Sequence, residues 1–189
     1  MLEQPAPSRQ EVATYLDGLS HGDRLDAVRS LGGPRLQRRL YEAVASAAPV
    51  SIDEIVPPDA APLREFIYHG KNSLPAFTHF QKRFCRPAPG TTPGSLWGYN
   101  HTNIGWLVGP GYFLCHPVDG PGAAVDYRAV PPSRPPTWPE IKPNERGASY
   151  FVYRGMVDYL RRVSKHVLIG SASRGGKELG NYFILCREP

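Results

Sequence analysis

His69, His79, His101, His116 and His166 are scattered along the chain, and no two are four residues apart as in a helical zinc pair. Cys85, Cys115 and Cys186 form no Cys-x-x-Cys. Cys115 and His116 are adjacent, so on a strand they face opposite sides and cannot easily share one ion. No metal site and no cofactor are expected. A haem needs only one axial histidine, for which His101 or His116 would be the candidate. A cysteine nucleophile needs a thiolate beside a base. Cys85 has Arg83 and Arg86 as neighbours, whereas Cys115 and Cys186 sit in apolar runs and read as small buried hydrophobes. Acid–base chemistry has two candidate groupings: Asp126 beside Tyr127 with Tyr99 or His101 across a sheet, and Asp158 beside Tyr159 with Arg161 and Arg162 following. Gly70-Lys-Asn-Ser73 could hold an anion through Lys71 or be a strand-entry turn. There is no Gly-x-Ser-x-Gly, phosphate-binding loop or dinucleotide fingerprint.

These residues need elements to position them. Leu96 to Pro117 gathers two tryptophans, two tyrosines, two histidines and a cysteine, cut by glycines at 98, 105, 109 and 111. It reads as two aromatic strands with a glycine-rich connection. In Val108-Gly-Pro-Gly-Tyr-Phe113, Gly109 and Gly111 should supply backbone angles or close approach that a side chain would obstruct. Tyr112, Leu114 and His116 then share one face, Phe113 and Cys115 the other. One face should meet a barrel interior and the other the N-terminal helices. Strands are expected at Phe77–Arg86, Leu96–His101, Tyr112–His116, Ala123–Val130, Tyr150–Tyr153, Met156–Arg162, Val167–Ser171 and Tyr182–Arg187. Eight short strands in sequence suggest an antiparallel meander that curls and closes, removing its edges.

Residues 1–62 read as a helical segment packed on this barrel, which takes residues 63–189. Ser8-Arg-Gln-Glu11 matches a capping box ahead of Val12, Tyr15, Leu16 and Leu19. A second helix is expected at about Asp23–Leu31. A third starts at Pro34 after Gly32-Gly33 and ends near Ala48. Ser51-Ile-Asp-Glu54 is another cap, stopped by Pro57-Pro58. Six prolines between Val130 and Arg146 forbid a sheet interior there and make a surface loop, pinned by Trp138, or a docking segment.

The chain has 189 residues, enough for one domain with a real core, and a net charge of +5. Its basic clusters (Arg35, Arg38, Arg39; Lys82, Arg83, Arg86; Arg161, Arg162, Lys165) read as solvated faces, so no nucleic-acid partner is expected. No 18-residue apolar run and no signal peptide are visible. Three widely spaced cysteines fit reduced thiols in the cytoplasm.

Met156-Val-Asp-Tyr-Leu-Arg-Arg-Val163, Val167-Leu-Ile-Gly170 and Tyr182-Phe-Ile-Leu-Cys-Arg187 together resemble the C-terminal hairpins of lipocalin-like bacterial proteins of the Gly-x-Trp-x-Gly group. Where that signature would sit, this chain has Tyr68-His-Gly-Lys-Asn72. The resemblance implies a calycin-type barrel and no particular chemistry. The expected class is therefore α+β: a β-meander closed into a lipocalin-like barrel, preceded by helices. The expected function is binding of a small apolar or aromatic ligand inside it, with Tyr99, His101, Trp106, Tyr112, Leu114, Asp126 and Tyr182 as lining residues. The alternatives are an enzyme working by acid–base chemistry in the same pocket, or an interaction protein using the helices and the proline-rich loop with a partner the sequence does not name.

Overall fold

The computed structural model describes residues 7–46, 49–75, 78–103, 105–119, 122–144, 147 and 149–189, with only the backbone of 106 and 107. Eight antiparallel strands run in chain order around a closed barrel: β1 (Phe66–Asn72), β2 (His79–Cys85), β3 (Leu96–His101), β4 (Tyr112–Pro117), β5 (Ala123–Asp126), β6 (Met156–Arg162), β7 (Val167–Arg174) and β8 (Lys177–Arg187). β8 pairs back onto β1 with Tyr68 opposite Arg187 and Asn72 opposite Phe183, which closes the sheet. Three strand expectations change, and Phe77, where the first expected strand began, lies outside the described residues. Ala123–Val130 shortens to Ala123–Asp126, with a turn from Tyr127. Tyr150–Tyr153 is not a strand but part of a short helix, Ser149–Tyr153. The missing strand is β1, whose Tyr-His-Gly-Lys core carries too little apolar alternation to stand out. Gly70-Lys-Asn therefore lies within β1, and Ser73 extends its pairing with β8 through Tyr182 (2.8 and 2.9 Å).

The helices are α1 (Arg9–Gly18), α2 (His21–Ser30), α3 (Pro34–Ala43), α4 (Ile52–Ile55), α5 (Gly105–Val108) and α6 (Ser149–Tyr153). Ser8 and Glu11 cap α1 reciprocally, satisfying two N–H groups that the first turn leaves unpaired. α1 to α3 lay Leu16, Val28 and Tyr41 over the outer faces of β7 and β8, on Val167, Ile169, Tyr182 and Ile184. They do not reach β4. The outer face of β4, with Tyr112 and Leu114, is covered by the proline-rich segment instead. Trp138 from that segment is buried on Tyr99 (ring centroids 4.8 Å apart), and its Nε1 donates to Glu65 at 2.5 Å. The Tyr112 hydroxyl donates to the Pro139 carbonyl at 2.5 Å. Asn144 is buried and donates to the carbonyls of Tyr112 (2.7 Å) and Tyr127 (2.8 Å), bridging β4 to the end of β5. This segment is thus built into the wall, six prolines notwithstanding.

Inside, the barrel divides along its axis. At one end α4 and its flanks push Val50, Ile52, Ile55 and Val56 against Tyr68, Phe84, Leu96, Cys115, Leu160 and Leu185. The Tyr68 hydroxyl donates to the Ile55 carbonyl at 2.9 Å, fixing the plug to β1. At the other end the interior is polar and partly open.

Candidate functional site

Inward positions of neighbouring strands share a repeated device. Phe80, Phe113 and Phe183 each lie opposite an inward glycine: Gly70, Gly98 and Gly170. A Cβ on any of the three would fall on the facing phenyl ring. The glycines therefore let each ring lie flat across the neighbouring strand, and the rings together make a collar. The Lys82 ammonium sits within that collar, 4.8 Å from the Phe183 ring centroid, 5.1 Å from Phe113 and 5.7 Å from Phe80, with Tyr127 at 5.0 Å. The negative faces of four rings offset part of the cost of taking this cation out of water.

The rest is offset by hydrogen bonds. The Lys82 side chain is only 2% exposed and that of Asp158 3%, and Nζ donates to Asp158 Oδ2 at 3.0 Å. Nζ also donates to Asn100 Oδ1 at 3.1 Å and to the Tyr127 hydroxyl. Tyr127 in turn donates to Asp158 Oδ2 (3.1 Å) and accepts from Asn100 Nδ2 (2.9 Å). Register explains the convergence: Lys82 faces Asn100 across β2–β3, and Asp158 faces Val125 across β5–β6, two residues before Tyr127. Burial lowers the Lys82 pKa, against the upward pull of Asp158. Burial, reinforced by Asp158, pushes Tyr127 well above its ordinary value, so it keeps its proton and can donate it. Tyr153 stacks on Tyr127 at 5.1 Å, and burial raises it to about 12 against the lowering effect of nearby Asn100. One oxygen of the network is left over. Asp158 Oδ1 is buried without a partner among the described residues.

Above this floor lies a cavity of about 430 Å3. Lys82, Asn100, Tyr127 and Asp158 line its base, Phe80, Met156, Ala172 and Phe183 its wall, and Leu74, Phe151, Val152 and Leu179 its mouth. The four mouth residues are exposed, Phe151 to 78%. α6 is held over the mouth by the Ser149 hydroxyl, which donates to the Val108 carbonyl at 2.7 Å. Gly109 and Gly111 have positive φ (76° and 54°), and a Cβ on them would strike Ser149 and the Tyr153 ring respectively. Both reasons foreseen for these glycines hold.

Most of the residues expected to line the interior are elsewhere. Tyr99 and Tyr112 pack with tilted rings 5.5 Å apart on the outer face beneath Trp138. Leu114 packs with them. His101 is exposed at the end of β3, edge-on to Tyr99. Asp126 is also outward, held by Arg128 through two oxygens (2.7 and 2.9 Å) and 3.8 Å from His116. Arg128 keeps its carboxyl below the usual range against the effect of burial. Tyr182 borders the cavity, but its ring packs outward on Tyr41 (5.4 Å). Trp106 belongs to α5, and its side chain lies outside the described residues. The choice of aromatic residues followed the wrong parity: with Asn100 and Phe113 inward, Tyr99 and Tyr112 must face out.

Other chemistry falls away. Burial pushes the Cys85 and Cys115 thiols up to about 12, so neither is a thiolate at neutral pH. Among the described residues no cluster of three metal-ligating side chains forms. The basic clusters are not merely solvated. Lys82 is buried, Arg83 pairs with Glu65 (3.1 Å), Arg86 with Asp53 (2.5 Å) and Arg162 with Glu54, while Arg161 covers the Tyr41 ring at 3.8 Å. Among the described residues no helix is long and apolar enough to cross a membrane.

Sequence reasoning missed Lys82, Asn100 and Tyr127 as a group. The signal was period-two parity: Phe80, Lys82, Phe84 on one strand and Met156, Asp158, Leu160 on another place one charge of each sign in otherwise apolar inward rows. No family model, no curated protein and no solved structure matches this chain.

Proposed function

We propose that this protein binds a small apolar or aromatic molecule inside the barrel, entering past α6 and stopping on the Lys82–Asp158 floor. One observation carries the reading: an apolar-walled cavity of about 430 Å3 ends on a buried, ordered polar cluster with one carboxylate oxygen still unpartnered. Ligand sites combine a large apolar surface with a few fixed polar groups, and this cavity is of that size and kind. An enzyme in the same pocket is less well supported. Lys82 and Tyr127 would have to release protons, and every proton they own is committed to a partner. The eight-stranded meander supports kinship with the lipocalin-like bacterial group. Three free, buried cysteines suit a reducing, cytoplasmic setting. Arg83, Arg86 and Arg162 are paired to carboxylates, which takes these three from a phosphate-binding surface.

The test is titration with an environment-sensitive apolar fluorophore against wild type and Ala172→Trp, which fills the cavity from its wall. Wild type should bind with a blue-shifted emission, and the variant should lose at least about tenfold in affinity while keeping its fold. A wild type that leaves the fluorophore in water, or a filled variant that binds it equally, removes the reading.

A further inference from the structure

We infer that the ligand is a neutral alcohol or phenol, bound head first, with its O–H donating to Oδ1 of Asp158. This rests on the binding reading above and adds the class of ligand to it.

The protons of Lys82 and Tyr127 at the cavity floor are all accounted for. An ammonium has three N–H donors, and Lys82 spends them on Asn100 Oδ1, the Tyr127 hydroxyl and Asp158 Oδ2. Tyr127 has one O–H, which goes to Asp158 Oδ2. Asn100 donates to Tyr127 at 2.9 Å. Neither the Lys82 ammonium nor the Tyr127 hydroxyl therefore has a donor left to offer a ligand. The cluster has an acceptor: Asp158 Oδ1, on a side chain 3% exposed that lines the cavity and has no partner among the described residues. A buried carboxylate oxygen without a hydrogen bond is costly, so the missing donor is the complementary group. Thr102 Oγ1, the other unpartnered buried oxygen on the cavity wall, can donate or accept and does not discriminate.

Charge narrows the donor further. A carboxylate head at the floor would meet the Asp158 carboxylate, and Lys82 has no N–H left there to receive it. An ammonium head would bring a second cation beside Lys82, with Arg174 also on the wall. A hydroxyl donates without charge. Phe80 and Phe183 of the collar, with Tyr127, Met156 and Ala172, accept its apolar body. A site built around a hydrogen bond rejects the analogue lacking it, because the buried group is then left unpaired.

The experiment compares 4-nonylphenol, its methyl ether, 4-nonylbenzoate and 4-nonylbenzylamine by displacement of the apolar fluorophore from the whole chain. The phenol should bind at least about tenfold more tightly than the ether, with the benzoate and the amine weaker still. Lys82→Met/Asp158→Leu, which replaces the pair by apolar groups of similar size, should bind ether and phenol alike. Equal binding of phenol and ether by wild type, or a preference for the benzoate or the amine, overturns the donor-head inference and leaves the cavity reading standing. Failure of all four to displace a bound fluorophore overturns the inference as well. Failure of the fluorophore itself to bind overturns the cavity reading. The comparison of ligands on wild type needs no variant to fold.

Discussion

The two ends of this barrel solve the same problem in opposite ways. Eight strands leave an interior just wide enough to be filled by side chains. At the α4 end it is filled: Ile55 and Val56 enter from outside the sheet and complete an apolar cluster with Phe84, Leu96 and Leu185. At the α6 end only Tyr153 enters among the described residues, stacked on Tyr127, and the same sheet carries Lys82, Asn100, Tyr127 and Asp158 on inward positions below an open mouth. The filled end is what a structural core requires. The open end spends stability on a buried ion pair, which apolar residues of the same volume would replace at no loss. Polar groups retained at that cost, beside unfilled volume, are why the proposed ligand is placed at this end.

Matched truncations should separate the ends most strongly. Phe84→Ala removes a ring that is wholly buried between Tyr68 and Phe113, and should cost about 3–5 kcal/mol in urea denaturation. Phe80→Ala removes the same ring beside existing empty volume, and should cost only about 1–2 kcal/mol. Equal losses would mean that the open end is packed as tightly as the plugged one. Lys82→Met alone should also cost about 3–5 kcal/mol, because Asp158 is left buried without its cation. Adding Asp158→Leu should restore wild-type stability or exceed it by about 1–4 kcal/mol. A double variant as unstable as the single would show that the pair holds the barrel together, and the contrast between the ends would collapse.

Gly111→Val tests the joint between the mouth and the floor. Gly111 has φ of 54°, and its Cβ would meet the Tyr153 ring that stacks on Tyr127. Backbone strain should cost about 1–3 kcal/mol in urea denaturation, and displacement of Tyr153 should weaken fluorophore binding as well. Lost stability with unchanged binding would place Tyr153 outside the site's support.

How far this contrast was legible in the sequence depends on parity. The strands Leu96–His101 and Met156–Arg162, the capping box at Ser8 and the closure of a meander all follow from local residue types and spacing. β1 was not legible, because its pairing partners β2 and β8, and not its own composition, make it a strand. α6 misled because Tyr-Phe-Val-Tyr has strand composition, yet Gly147 and Gly155 with positive φ bracket it into one turn. The site was half legible. Asp158 was singled out, but with its exposed neighbour Tyr159 and the arginines that follow. Its true partner lies 76 residues away, and only register brings the two together. Conspicuous aromatics drew attention to Tyr99 and Tyr112, whose function is to seat Trp138.

The smallest expected effect is also the sharpest contrast, since one group at each end, Lys82 and Cys115, should answer alkali with opposite sign. Buried Tyr127 and Tyr153 add a background that acts in the sense of Cys115. Lys82, at the open end, has its pKa lowered from 10.5, mainly by burial. Between the folded value and 10.5 the unfolded chain holds this proton and the folded chain does not, so this group makes stability rise with pH. Cys115, toward the plugged end, is raised by burial from 9.0 to about 12. Between those values the unfolded thiol has ionised and the folded one has not, so stability falls as pH rises. One group changes the slope by at most about 1.4 kcal/mol per pH unit. Urea denaturation between pH 8 and 10.5 should therefore give Cys115→Ala a less negative slope than wild type, apart from a pH-independent offset for the lost sulfur. Lys82→Met/Asp158→Leu should give a more negative one, the more so because the Lys82 charge also holds Cys115 down. Wild-type slopes in both variants would mean that the amine and the thiol are as solvated in the fold as in the open chain, and that the two ends do not differ as drawn.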